Sequence, residues 1–307
     1  MKLAAIDIGS NSIKLVVVQA ATSDAFTVLA QEREVVRLGQ ETLVNGHIND
    51  AATQRAVTCL KRFRSVADAN GAEKIVAIAT ATVREADNSA EFIHKVEEET
   101  GLHVEVLSGL EEARLIGLAA SQGCTAKGVT SLNIDIGGGS TELSIFRDGE
   151  PLKLISMKLG AVGLTDRFIR SDPPAANELD ALRSEIHSSL ESHANEFRDH
   201  GWEHATATSG TALAISAALN RAAVVDLPEL KRLNAKISAL SLAERRNVAG
   251  LSPQRADIII AGGMVLEEIM KTLGIESLNF CDWSLREGVI IDRLREWKRS
   301  SMTRPAG

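Results

Sequence analysis

The feature that most constrains this chain is a strand–turn–strand pattern that occurs twice. Residues 6–17 read Ile-Asp-Ile-Gly-Ser-Asn-Ser-Ile-Lys-Leu-Val-Val, and residues 134–145 read Ile-Asp-Ile-Gly-Gly-Gly-Ser-Thr-Glu-Leu-Ser-Ile. Aligned without gaps, Asp7 falls on Asp135, Gly9 on Gly137, Ser12 on Ser140 and Leu15 on Leu143. Each copy is a short apolar run ending in Asp, a turn of Gly, Ser or Asn, and a second β-type run, which predicts a hairpin with an acidic residue at its mouth. Glycines let the backbone approach a ligand, consecutive N–H groups in a tight turn form a concave anion site, and Ser and Asn add donors. The Asp repels phosphate directly but suits a hard cation, or a water on it, that bridges to phosphate. Two such turns facing each other would clamp a phosphate chain. The string G-x-x-x-x-G-K-[ST] is absent, so this is not a P-loop.

The 307 residues suffice for two domains, and 44% hydrophobic residues allow substantial cores. Aromatics are only 3%, with no Tyr, which argues against base-stacking nucleic-acid modules. The formal charge of −7 gives no general attraction to polyanions, so a polyanion must find a local basic cleft. Cys59, Cys124 and Cys281 are widely spaced and include no C-x-x-C, so neither a zinc ribbon nor a disulfide framework is expected, and a reducing compartment is the default. Asp7 interrupts the N-terminal apolar run too early for a signal peptide, and no run is long enough to span a bilayer. These observations predict a cytoplasmic α/β protein without membrane or nucleic-acid partners.

Along the chain, Asp50 is the expected N-cap of a helix reaching Asn70, with Ala56, Leu60, Phe63 and Ala67 on its buried face; Lys61, Arg62 and Arg64 read as a solvated face. Arg84 follows a buried-type strand at 74–80, where α/β folds place ligands. Glu111 and Glu112 open a helix, and acidic residues are common in a first turn. Residues 123–128 read as a hinge, after which the second hairpin restarts the topology. A long amphipathic helix is expected from Glu178 to Phe197, and a strand-like run at Asp257–Ala261 runs into Gly262-Gly263.

These residues bring out a resemblance. The strings around Asp7, Arg37-Leu-Gly, Ala79-Thr-Ala-Thr-Val-Arg-Glu-Ala, Glu105-Val-Leu-Ser-Gly-Leu-Glu-Glu-Ala-Arg-Leu, Asp135-Ile-Gly-Gly-Gly-Ser-Thr-Glu-Leu, Leu164-Thr-Asp-Arg-Phe, Ser209-Gly-Thr and Trp283-Ser-Leu-Arg-Glu-Gly run from residue 6 to residue 288. Together they resemble the exopolyphosphatase / guanosine pentaphosphate phosphatase family of the actin-like ATPase superfamily. The resemblance implies two duplicated actin-like (ribonuclease H-like) α/β domains with mixed sheets flanked by helices and a cleft between them. The expected division is 1–124 and 125–307, with a C-terminal helix about 284–299 able to pack back on the first domain.

The implied activity is metal-dependent hydrolysis of the terminal phosphoanhydride of inorganic polyphosphate. Magnesium or manganese is the implied metal. Carried over by position, Glu112 activates or orients water; the residues alone leave Glu111 and Glu112 open, and the family pattern picks Glu112. Asp135 and Glu142 handle metal and water, Asp7 is the opposite metal-side carboxylate, and Arg84 neutralises the transferred group. Gly9, Ser10, Asn11, Ser12, Gly137, Gly138, Gly139, Ser140 and Thr141 would cradle phosphates. Longer relatives add a helical domain for which 307 residues leave no room, so shorter polyphosphate chains are expected. A homodimer is a superfamily expectation. The alternatives are a guanosine pentaphosphate 5′-phosphatase, which predicts a base pocket near Gly210, Thr211, Gly262 and Gly263, and a non-catalytic actin-like nucleotide-binding scaffold.

Overall fold

A computed structural model describes residues 1–21 and 25–302, the last three of them by backbone alone. The first half contains strands β1 (Lys2–Ile8), β2 (Ser12–Ala20), β3 (Phe26–Val35), β4 (Lys74–Ala79) and β5 (Val104–Val106), and helices α1 (Thr42–Asn45), α2 (Asp50–Ala69), α3 (Ala81–Glu85), α4 (Ser89–Thr100) and α5 (Gly109–Gly123). The second half contains β6 (Thr130–Ile136), β7 (Thr141–Arg147), β8 (Glu150–Met157), β9 (His204–Thr208), β10 (Val224–Asp226) and β11 (Ser277–Phe280). Its helices are α6 (Ala161–Phe168), α7 (Ala176–His200), α8 (Ser209–Ala218), α9 (Leu227–Ser238), α10 (Leu242–Arg245) and α11 (Ile259–Leu273), and α12 (Leu285–Met302) ends the chain.

The sheet orders are β3-β2-β1-β4-β5 and β10-β11-β9-β6-β7-β8. Read from the other edge, the second is the first repeated, with β10 added. In both, a central strand pairs antiparallel with the second strand of its hairpin and parallel with the strand after the first long crossover. The duplicated actin-like architecture is therefore present, and the sequence repeat marks its two structural origins.

Every strand at the centre is covered on both faces. Ala4, Ile6 and Ile8 of β1 pack with Leu60 and Phe63 of α2 and Phe92 of α4, while Leu3 and Ala5 meet Leu115 and Ile116 of α5 and Leu285, Ile290 and Leu294 of α12. So α12, from the end of the chain, lies on the first sheet. Leu132, Ile134 and Ile136 of β6 join the larger core built with α7, α8 and α11. Between the sheets, α5 packs on α12 and on β7 and β8. Glycines permit that packing: a Cβ on Gly117 would sit 2.2 Å from the Phe146 ring, and one on Gly288 2.0 Å from the Leu115 carbonyl oxygen.

Three local expectations change. Asn49, not Asp50, caps α2, its side chain accepting from the Ala52 N–H, and Asp50 sits in the first turn. The run at Asp257–Ala261 is not a strand; Ile259 begins α11, whose apolar residues are buried all round, and a continuous apolar run does not separate a buried helix from a strand. Cys124 and Cys281 form a disulfide with Cα atoms 6.0 Å apart, and Cys59 is free and buried. The pair is 157 residues apart in sequence, so spacing conceals a proximity that the fold creates. The basic cluster on α2 is a solvated face, with Lys61 paired to Glu99 and Arg62 to Glu32 and Glu34. No helix among the described residues is long and apolar enough to cross a membrane.

Because Gly288 lets α12 touch the backbone of α5, Gly288→Ala is expected to destabilise the protein by about 1–3 kcal/mol through overpacking. The midpoint of urea unfolding measures this, with an unchanged midpoint as the contrary result.

Candidate active site

The two turns are built alike at atomic level. Gly9 N–H donates to Ser12 O at 3.2 Å, and Gly137 N–H donates to Ser140 O at 2.9 Å. Each turn has its carbonyls engaged from behind. Gly39 and Arg37 N–H donate to Ser10 O and Asn11 O, and Ala161 and Val162 N–H donate to Gly137 O and Gly138 O. The carbonyl dipoles are thereby held away from the cleft, which leaves a surface of N–H groups and short polar side chains suited to an anion.

The turns touch each other. A Cβ on Gly138 would lie 2.8 Å from the Ser10 Cβ and 3.2 Å from Asn11 N; one on Gly139 would lie 2.6 Å from the Ala81 Cβ and 2.8 Å from Ser10 Oγ. No other residue allows so close an approach. Between the turns is a chamber of about 60 Å³, lined among others by Asp7, Ser12, Glu112, Asp135 and Ser140. That is room for a few waters or one phosphate group. Thr141, the first residue of β7, is fully buried and donates to Leu159 O at 2.7 Å, so it supports the second turn from outside the chamber.

Register then decides charge. In the first hairpin Asp7 is directly opposite Lys14, whose ammonium reaches the Asp7 carboxylate at 3.3 Å. In the second, the equivalent pair is Asp135 and Glu142. Cross-strand partners share a face, so one hairpin presents a neutralised pair and the other two carboxylates. Thr208 Oγ1 and Ser284 Oγ both donate to Asp135 Oδ2, at 2.7 and 3.0 Å. Ser156 Oγ donates to Glu142 Oε1 at 2.7 Å, and Glu142 Oε2 has no partner.

Glu111 and Glu112 separate cleanly. Ser108 caps α5 through the Glu111 N–H, and the helical turn sends the two carboxylates to different sides. Glu111 is bound by Arg114 at 2.7 Å near the surface. Glu112 is buried and accepts from Arg84 Nη1 at 3.0 Å. Arg84 donates to Leu107 O at 2.9 Å and lines a neighbouring cavity that shares Ala81, Gly139 and Ser140 with the chamber, so it reaches the chamber through Glu112.

Burial raises the Glu112 pKa to about 7; Arg84 opposes the rise and the charges of Asp7 and Asp135 add to it. Burial also pushes Asp135 up, against the hydrogen bond from Thr208. It pushes Glu142 well above its ordinary value, reinforced by Glu112 and Asp135. Burial thus favours the neutral forms of these three acids in the protein alone, and a cation beside them would favour their charged forms. Among the described residues no three His, Cys, Asp or Glu side chains form a ready cage. That donor set suits a hard ion completed by water and phosphate oxygens, and the unpartnered Glu142 Oε2 fits it. The residues that could hold it are Asp135, which lines the chamber, and Glu142, its buried cross-strand partner just behind the lining, with Asp7 across the cleft already shared with Lys14.

Sequence reasoning missed Lys14, Ser284 and Arg255. Lys14 is visible in hindsight as the repeat position that carries Glu in the second copy. Ser284 lies inside a quoted string but draws attention only once α12 brings it to Asp135. Arg255 has no local signal. It lines the chamber with its Nε unpartnered, and burial, with repulsion from Arg33, lowers its pKa to about 9. Gly210 makes space for it, since a Cβ there would sit 1.7 Å from its guanidinium. The small residues proposed for a base pocket are occupied by packing: Gly262 meets Thr211 and Gly263 meets Asn234.

The raised Glu112 pKa has a stability consequence. A buried acid that prefers its proton in the folded state costs stability as pH rises from its ordinary 4.5 through about 7. Glu112→Gln, which is neutral at every pH, is therefore expected to stabilise the metal-free protein more at pH 8 than at pH 5, by up to about 3 kcal/mol. Thermal unfolding of both proteins at the two pH values tests it; an equal difference at both would contradict it.

The Ppx/GppA phosphatase family model matches residues 16–296. Exopolyphosphatase 1 of Mycobacterium leprae is 34% identical over 304 residues, covering 96% of this chain and 90% of that protein. Its counterpart in Mycobacterium tuberculosis is 33% identical over the same length. Among solved structures, an exopolyphosphatase from Cytophaga hutchinsonii superposes with a TM-score of 0.89 at 27% identity, covering 96% of this chain and 98% of that one. The Aquifex aeolicus PPX-GPPA enzyme superposes at 0.79 with 25% identity, covering 95% and 99%. The family match runs from within β2 to within α12 and so covers most of the chain, which therefore belongs to the Ppx/GppA phosphatase family.

Proposed function

We propose that this protein is an exopolyphosphatase that hydrolyses the terminal phosphoanhydride of inorganic polyphosphate and releases orthophosphate. The observation that carries the reading is the juxtaposition of two phosphate-suited turns with Glu112, held by Arg84 at the wall of the same chamber. Near-full-length similarity to proteins named exopolyphosphatase supports it.

In this reading the terminal phosphate sits in the chamber that both turns line, its oxygens taken by their backbone N–H groups. Glu112, with its pKa near neutrality, accepts a proton from the attacking water and orients it. Arg84 both positions Glu112 and offers charge to the phosphoryl group, and Arg255 and Lys14 add cations further along the chamber. Thr208 and Ser284 keep Asp135 oriented. Bound magnesium or manganese would neutralise phosphate oxygens and polarise the scissile group, held by Asp135 and Glu142 with Asp7 opposite. No side chain is needed as a covalent nucleophile. A cytoplasmic location belongs to the same proposal; a thiol-rich compartment would keep the Cys124–Cys281 pair in exchange with its thiols.

Phosphate release is to be measured with magnesium on short-chain polyphosphate, long-chain polyphosphate and guanosine pentaphosphate. Release from polyphosphate is expected, with Glu112→Gln lowering kcat by about 10²–10⁴ and a chelator abolishing turnover that magnesium restores. Release from the nucleotide alone would assign the protein to the guanosine pentaphosphate branch. No release from any substrate by the folded, metal-supplied protein would leave a binding role.

A further inference from the structure

The chain crosses between its two sheet-bearing halves twice, at residues 124–129 between α5 and β6 and at residues 281–284 between β11 and α12. The first residue of each crossing is a cysteine, and Cys124 and Cys281 are joined. Each is anchored at its own end. Cys124 N–H donates to Ala120 O in the last turn of α5, and Cys281 N–H donates to Ala207 O on β9. Trp283 packs on Gly123, where a Cβ would meet its ring at 2.5 Å, and stacks on Phe26 with centroids 5.4 Å apart. The bond therefore fastens together both connections about which the halves could move.

Both connections also carry site residues. Along one rigid helix, α5 runs from the disulfide to Glu112 in its first turn, and the second crossing runs within three residues from Cys281 to Ser284 on Asp135. The chamber between the turns is small, about 60 Å³, so the room it offers a substrate depends on how the two halves sit against each other. We propose that the Cys124–Cys281 disulfide is a reversible thiol-exchange site that sets how far the substrate cleft opens. Oxidised, it keeps the two crossings together and the turns preorganised; reduced, it lets the halves separate and the binding-competent closed state becomes less populated.

The exchange is ordinary. A dithiol's thiolate attacks Cys124 Sγ, the Sγ–Sγ bond breaks, and Cys281 leaves as a thiolate and takes a proton. The reagent's second thiol then attacks the mixed disulfide and releases Cys124, so the reagent is oxidised by two electrons and the protein reduced by two. Cys124 is half-buried and Cys281 buried, so Cys124 is the sulfur within reach. Thr125, beside it, lines an open cavity together with Lys127, Asp148 and Arg295, which leaves room for a thiol reagent to approach.

The test compares air-oxidised protein, the same protein in dithiothreitol, and Cys124→Ser. Thiol titration in denaturant is expected to count one thiol before reduction and three after, consistent with Cys59 as the free cysteine. Reduction and Cys124→Ser are each expected to enlarge the radius of gyration in solution scattering. Each is also expected to raise KM for short-chain polyphosphate by about three- to tenfold, as a competent fraction falls to a third or a tenth, with kcat within about twofold. Oxidised glutathione should restore the reduced wild type but not the variant. Unchanged scattering and KM with three thiols titrating would overturn the proposal, as would three thiols in the air-oxidised protein. Loss of the far-ultraviolet helical signal on reduction would also overturn it, by making the bond structural only. Scattering needs no turnover, so absence of polyphosphatase activity would leave the hinge result standing.

Discussion

The structure depends on one close contact, that of two glycine turns from different halves of the chain. Gly138 and Gly139 lie against Ser10 and Ala81 with no space for a Cβ. That contact requires both sheets to be held in one relative orientation, and the interior between them is built for this. Helix α5 packs on both α12 and the second sheet, with Gly117 against Phe146, Gly123 against Trp283 and Gly288 against the α5 backbone. Side chains omitted at three places along α5 and α12 therefore serve a contact at the far end of α5. The crossings that join the halves are tied by the Cys124–Cys281 bond.

Within the closed contact, electrostatics runs against stability. Duplication placed an acid at the end of each central strand, and divergence at one cross-strand position then separated the halves. Lys14 neutralises Asp7, whereas Glu142 adds to Asp135. With Glu112 nearby, the second hairpin's side of the cleft concentrates negative charge where burial raises the pKa values of all three acids. A packed core would avoid such an arrangement. It suits the proposed function, in which a cation and a phosphate would offset these charges, with Arg84, Arg255 and Lys14 supplying the fixed positive charge.

Much of this was legible in the chain. Ile6-Asp7-Ile8-Gly9 and Ile134-Asp135-Ile136-Gly137 carry strand alternation, turn chemistry and ligand chemistry in one short string, so local rules suffice to read them. Helices α2 and α7 announce themselves by periodicity on a half-buried surface. The beginning of α11 does not, because its residues are apolar on every side and period 3.6 leaves no polar stripe. Arg255 was invisible for a related reason: nothing in Gln254-Arg255-Ala256 separates a surface arginine from one buried beside Gly210.

The sequence by itself determined the duplication, the two anion-suited turns, their acids and the glycines that keep both turns free of side chains, because each depends on residues adjacent in the chain. Only the tertiary structure decided which acid of Glu111 and Glu112 faces the cleft, since one helical step directs them to different neighbours. It also decided that Ser284 and Thr208 meet on Asp135 and that Cys124 reaches Cys281. Those outcomes follow from long crossovers that return distant segments to the same place, and pairwise distance across a fold is not written in any local pattern.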